Sequence, residues 1–428
     1  GPQLRRASVD SMEPEHDPLG NQENIDPDTG AVEEDEDVEG EDWVTEQEFE
    51  LVDDPNAPVE DESDEEGDEE GENMEEDETG SKPNVAPASE DFLSAFTKHT
   101  DSIYSLSVSK DGSLAVTGGG DDRSFLWSVK DGGASFTKEL SGHTDSVIDV
   151  AFNHDDKLVA TASMDSTVRV WDVATGSLVS TLTGPGEDIL WMRWHTKGNV
   201  VLAGSQDSTV WMWMSNGQCM NVFAGHGGAV TGGLFTPDGK KFLTCSEDLT
   251  VRLWNPRQLS PIATIEMHEN AIVSMALDKS GAILATGSVD HTAILSKVNC
   301  SEDAPSITTV GTITGFSDSV EAIDFSMTDP WVALGSVDGS VNIFDHGKMQ
   351  SRCTLTHEGG VVKARFDPRS ALLYTCTNNN QLHSWDTRSG QLVRTFNGHA
   401  NIVLDFALTS QGMLVSGSDD HRALVFAL

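Results

Sequence analysis

The stretch from Gly142 to Asp172, GHTDSVIDVAFNHDDKLVATASMDSTVRVWD, decides the fold. A Gly-His pair opens it, an Asp stands 22 residues after the His (His143 to Asp165), and Trp171 follows six residues later. Short alternating runs of Val, Ile, Ala and Thr, broken by polar turns, mark antiparallel strands rather than a helix. The three polar side chains can bond across one small sheet. The imidazole bridges the carboxylate to a strand hydroxyl such as Thr161 or Ser163, and the indole N–H supplies the last donor. Buried polar groups persist only when paired, so this network pins a four-stranded sheet whose remaining core is apolar. A catalytic reading of His143 and Asp165 fails because the same spacing recurs along the chain.

Working outward, the spacing of 22 runs from His99 to Asp121, His226 to Asp248, His268 to Asp290 and His357 to Asn379, with His399 to Asp420 one shorter. Two copies keep the spacing without the His, Pro185 to Asp207 and Phe316 to Asp338. The position six residues beyond each acid slot holds Trp127, Trp171, Trp213, Trp254, Ser296, Phe344, Trp385 and Phe426, which makes eight units. Successive acid slots lie 44, 42, 41, 42, 48, 41 and 41 residues apart, the period of a four-stranded blade. The 48 predicts a longer loop near residues 300–309. The degraded copies at Pro185 and Ser296 are expected to be locally less rigid rather than catalytic. The eighth unit has room for three strands, so a fourth must come from Phe92 to Lys98 and clasp the ring shut. Residues 91–428 are therefore expected to form an all-β, eight-bladed propeller.

Charge is unevenly distributed. Residues 1–90 hold 35 acids and 3 bases, net −32, leaving 37 acids and 23 bases, net −14, for the remainder. Phosphates would be repelled and basic proteins attracted, so no direct nucleic-acid partner is expected. From Glu33 to Glu78, 27 of 46 residues are acidic and none is Lys or Arg. Such a segment cannot bury enough apolar surface to offset its ordering entropy and is expected to be disordered. One island in it, Trp43-Val44 with Phe49, Leu51 and Val52, has a helix-like apolar spacing. Residues 1–11 resemble a protease scar and a kinase-labelling tag, and residues 12–90 form the acidic tail and linker. The five scattered cysteines read as free thiols of a reducing compartment. No run approaches the ~18 apolar residues that span a bilayer, so no membrane association is expected. There is no phosphate-binding loop, since Gly118-Gly119-Gly120-Asp121 lacks the Lys, and there is no His-Glu-x-x-His or Gly-x-Ser-x-Gly motif. No catalytic residue, metal ligand or cofactor is assigned, and the protein reads as an interaction module rather than an enzyme.

The Gly-His…Asp…Trp units resemble WD repeats. The acidic tail with its Trp-Val island, LAVTGGGDDRSFLW (Leu114 to Trp127), ILWMRW (Ile189 to Trp194), STVWMWM (Ser208 to Met214) and LDFAL (Leu404 to Leu408) together resemble the angio-associated migratory cell protein family. That resemblance implies an eight-bladed WD-repeat β-propeller preceded by a disordered acidic N-terminal tail. Fungal members of the family are the dedicated cytoplasmic chaperone of large-subunit ribosomal protein L-ten (the universal L-sixteen class). The implied function is capture of that protein's basic N-terminal segment and delivery to the pre-60S particle, by a monomer in the cytoplasm. Animal members are linked with cell migration, and the competing function is a scaffold for signalling, cell migration or ubiquitin-ligase assembly.

The residues point to the same chemistry. In an antiparallel meander a-b-c-d, the b–c and d–a connections emerge at one end, so the slots after the His and before the acid share one rim. Two residues past the His slot stand Asp101, Asp145, Glu187, Gly228, Asn270, Asp318, Gly359 and Asn401, four of them acidic and none basic. Asp188, Glu247 and Glu321 are expected on the same face. Carboxylates so placed suit bidentate pairing with arginines of a basic peptide, with Trp191 expected to stack on a guanidinium or cover an aliphatic stem.

Overall fold

A computed structural model describes residues 91–428; the proposed tag, the acidic tail and its Trp43-Val44 island lie outside the described residues. Apart from one 3-10 turn, Lys130–Gly132, the regular structure of the described residues is all strand, grouped into eight four-stranded antiparallel sheets. Blade one is typical. Its inner strand a is Ile103–Val108, followed outward by b (Leu114–Gly119), c (Arg123–Ser128) and d (Ser135–Ser141). The b strands carry the apolar, β-branched and small residues that fit between neighbouring blades, and several are wholly buried, as in Val200–Ser205 and Trp331–Ser336. Tight a–b turns are set by residues such as Gly112 and Gly239, whose positive φ of 71° and 76° suits glycine.

The predicted polar network is present. In blade two, His143 Nδ1 lies 2.8 Å from Asp165 Oδ2 and Nε2 lies 2.8 Å from Thr161 Oγ1, which also accepts Trp171 Nε1–H at 3.0 Å. The bridging hydroxyl is thus Thr161; Ser163 instead donates to the Asp145 carbonyl at 2.8 Å. The same His–Asp contact occurs at His99–Asp121, His226–Asp248, His268–Asp290 and His399–Asp420. Burial acts to raise the Asp248 carboxyl, but hydrogen bonds from Thr250, the Gly227 N–H and His226 outweigh it and hold the group down at about 2. The imidazoles are buried and fully engaged in these networks, which makes them scaffolding.

The degraded units compensate in different ways. In blade three, Asp207 still accepts the Gly186 N–H at 2.8 Å although Pro185 replaces the His. In blade seven, where Asn379 replaces the acid, His357 Nδ1 turns to the Gly339 carbonyl at 3.0 Å. Blade five has Ser296 in the Trp position, with its hydroxyl buried and unpartnered. The extra residues of blade five mostly lengthen strands rather than a loop: c (Ala293–Asn299) and d (Ser306–Ile313) run 7 and 8 residues, leaving 300–305 as the connection.

The ring closes as expected, through a shorter ladder than the proposed Phe92 to Lys98. Ser94–Phe96 pairs antiparallel with the last strand, Ala423–Ala427, as the outer strand of blade eight. The Leu93 N–H extends it to the Val425 carbonyl at 2.7 Å. Phe96 also stacks on Trp127 of blade one, with centroids 4.9 Å apart. On the inner side, carboxylates that are buried (Asp405) or half-buried (Asp149, Asp324) join neighbouring blades. Asp149 accepts the Met192 N–H at 2.9 Å, Asp324 the Phe366 N–H at 2.7 Å, and Asp405 the Leu106 N–H at 2.8 Å. The last of these bonds ties blade eight to blade one.

Candidate functional site

In every blade the b–c turn hydrogen-bonds to the d–a loop. Gly120 N donates to Ser102 O, Met164 N to Ser146 O and Gln206 N to Asp188 O, all at 2.9–3.0 Å, and the other five blades repeat the bond. The two sets of connections therefore form a single rim. Asp101, Asp145 and Asp318 each use one carboxylate oxygen to accept the next residue's N–H at 2.7 Å, while the side chains remain exposed. Asn270 and Asn401 make the same cap at 2.8 and 2.9 Å. Capping accounts for Asp or Asn at this slot but not for charge. Glu187 and Glu247 are exposed without such a cap, Asp188 is half-buried beside them, and Glu321 is exposed and accepts Ser319 Oγ–H at 2.8 Å.

Trp191 does not belong to this surface, which corrects the expectation that it would meet a client side chain. It is 3% exposed, and its Nε1–H donates to the Val230 carbonyl at 2.8 Å across the gap between blades three and four. The indole fills the space left by two glycines: a Cβ on Gly204 would lie 2.3 Å from Trp191 Nε1, and one on Gly233 would lie 2.0 Å from Cη2.

Three rim acids escape a reading of one slot. Glu269 and Glu358 are exposed one residue after the His position of blades five and seven, and Asp419 stands just before the acid of blade eight. Asp419 accepts from Ser102 Oγ across the blade eight to blade one junction and from Asn401 Nδ2. With these included, every blade carries a carboxylate on the rim. The signal was available in the neighbouring slots, since Glu247 precedes Asp248 as Asp419 precedes Asp420.

Inside the rim, the eight inner strands each carry a β-bulge at one register position. The pairing shifts between Ile103 and Ser105 in blade one, Val147 and Asp149 in blade two, Ile189 and Trp191 in blade three, and at the corresponding residues elsewhere. A bulge re-aims the extra side chain. Six of these bulged residues line the central channel, a cavity of about 930 Å³. Deeper in, two of the acids are paired with cations: Arg193 Nη1 donates to Asp149 at 2.9 Å and Lys363 Nζ to Asp405.

The "WD domain, G-beta repeat" family matches residues 90–128, 134–172, 176–214, 217–255, 259–295, 307–345 and 390–426. The unmatched interval holds blade seven, whose acid slot is Asn379. Human angio-associated migratory cell protein is 36% identical over 358 residues, covering 78% of this chain and 79% of that protein. The chain belongs to the angio-associated migratory cell protein family of WD-repeat proteins. Within reach of this family is Ribosome assembly protein SQT1 of Saccharomyces cerevisiae, 28% identical over 84% of this chain and 90% of its own length. The crystal structure of Saccharomyces cerevisiae Sqt1 superposes with a TM-score of 0.73 at 25% identity, over 80% of this chain and 100% of that one. Chaetomium thermophilum Sqt1, crystallised bound to the N-terminus of ribosomal protein L10, shares the fold with a TM-score of 0.72 at 23% identity, over 79% and 100% of the two chains.

Proposed function

We propose that this WD-repeat protein is a ribosomal-protein chaperone of large-subunit assembly, whose acidic rim captures the basic N-terminal segment of ribosomal protein L10 and delivers it to the pre-60S particle. The observation that carries the reading is the carboxylate on the rim of every blade, in slots that hold no Lys or Arg. A flexible segment with a cation every few residues can engage several such groups at once, and opposite fields speed encounter as well as favour the complex. The relatives add support: one is named a ribosome assembly protein, and another was crystallised with the L10 N-terminus. Five unpaired cysteines accord with work in the cytoplasm.

The test is calorimetric titration of the L10 N-terminal peptide against wild type, Asp145→Lys and Glu321→Lys, with circular dichroism as a fold check. Reversal removes a partner and adds a repulsion, so each is expected to weaken binding by roughly 2 kcal/mol, or ~30-fold, at low salt. Two folded variants with wild-type affinity would remove the rim as the client site. A scaffold reading draws on exposed apolar pairs on outer strands, Leu178-Val179 and Leu392-Val393. Partners docked there would bind with little salt dependence, whereas capture on the rim weakens steeply with salt.

A further inference from the structure

The bulged residues of four adjacent inner strands differ in chemistry from the rim around them, whereas that of blade six is the acid Glu321. On blades eight, one, two and three in succession they are Leu404, Tyr104, Ile148 and Leu190. Tyr104 is 39% exposed and the other three are half-buried. An apolar arc of Leu404, Tyr104 and Ile148 thus lines the channel, with Leu190 at the same register position on the next blade. On blades one to three each arc residue follows a rim acid by three positions, Asp101 to Tyr104, Asp145 to Ile148 and Glu187 to Leu190. The two layers are in close proximity: a Cβ on Gly120 would lie 3.1 Å from Asp101 Cγ and 3.3 Å from Tyr104 Cε2, so carboxylate and ring flank the same turn.

We infer that this arc is an anchor site for an aromatic or large aliphatic side chain of the bound segment, so that the client is recognised as an apolar residue flanked by arginines rather than by charge alone. The inference rests on the acidic-rim reading and refines it. An apolar partner lacking cations would have to strip water from the carboxylates on blades one to three without pairing them. A purely basic peptide would leave the arc wet. The segment that satisfies both layers places its anchor on the arc and its guanidinium groups outward on Asp101, Asp145 and Glu187. In the channel below, Asp149 and Asp405 are already paired with Arg193 and Lys363, and Glu321, the bulged residue of blade six, lies outside the arc.

The experiment titrates the whole protein with three synthetic peptides of equal length. The first is arginine-rich with a central tryptophan, the second has serine in place of the tryptophan, and the third keeps the tryptophan but has glutamine for every arginine. The first is expected to bind at least ~10-fold more tightly than the second, the increment for burying one aromatic side chain. That ratio should persist as salt is raised and vanish in Tyr104→Ser and Ile148→Ser. Equal binding of the first two peptides overturns the anchor site and leaves the acidic rim standing. Binding of neither removes both. Equal binding of the first and third means an apolar partner in place of a basic one, and also overturns the inference. A ratio unchanged in folded serine variants places the anchor elsewhere and does the same. Should the variants fail to fold, the peptide comparison on wild type still decides.

Discussion

At the scale of single residues, the polar network was legible because its chemistry demands fixed residue types at a fixed spacing. The His143–Asp165 and His143–Thr161 contacts, each 2.8 Å, are where the spacing of 22 put them. Trp191 was misread for a physical reason. Alternation tells that Leu190 and Trp191 face opposite ways but not which faces inward, and a single extra residue flips the answer. The bulge between Ile189 and Trp191 makes Leu190 the extra residue and leaves Trp191 between blades three and four. Gly204 and Gly233, the two positions left without side chains, were the available clue. Trp191→Ala is accordingly expected to cost about 3–5 kcal/mol of stability, measured by denaturant unfolding, while the folded fraction binds client normally. Loss of binding in a variant of undiminished stability would return Trp191 to the surface.

At the scale of the blade, the units differ in how they meet acid. Five of the six blade histidines have an Asp partner, and blade seven, where Asn379 stands in that slot, is the exception. There the His383 ring centre lies 5.2 Å from that of His357. Burial, reinforced by the neighbouring His357, pushes His383 down to about 4, and burial lowers His357 as well. A histidine depressed in the native state favours folding fully above its unfolded value of roughly 6.5, and that contribution fades as pH falls toward 4. Asp248, held at about 2, keeps its contribution down to the ordinary carboxylate range near 4 and loses it only below. Blade seven is therefore expected to open first on acidification, between about pH 6.5 and 4. Hydrogen exchange resolved by blade should show its strands Leu372–Thr377 and Leu382–Asp386 deprotected ahead of blade two. His383→Gln should flatten the fall in melting temperature over that interval; an unchanged slope would refute the assignment. The degeneracy of this blade was visible at Asn379, whereas the proximity of His383 to His357 depends on cross-strand register that spacing alone does not reveal.

At the scale of the whole molecule, the blade count and the clasp were both readable, since eight repeats and a missing outer strand leave only one way to complete the last sheet. What repeats could not convey is the shared bulge, because it leaves spacing intact and changes only where a side chain points. Removing residues 91–98 strips blade eight of Ser94–Phe96 and leaves Ala423–Ala427 as an open edge. The truncated protein is expected to melt well below wild type and to aggregate, by scanning calorimetry and light scattering; an unchanged melting temperature would refute the clasp.

The same clasp sets a timetable for synthesis. The bonds that shut the ring join residues far apart in the chain, Ser102 to Asp419 across 317 positions and Leu106 to Asp405 across 299. Lengthening a loop adds only slowly to its closure entropy, so the finished ring bears little lasting cost for this arrangement. Time is another matter. The clasp strand is translated first and its partner last, and at 5–20 residues per second the wait between them is on the order of 20–60 s. Throughout that interval the nascent chain holds an unpaired strand at one end and a growing stack of blades at the other. The outer edge of blade eight is thus the last edge in the ring to find its partner, although that partner strand is among the first of the described residues to be made.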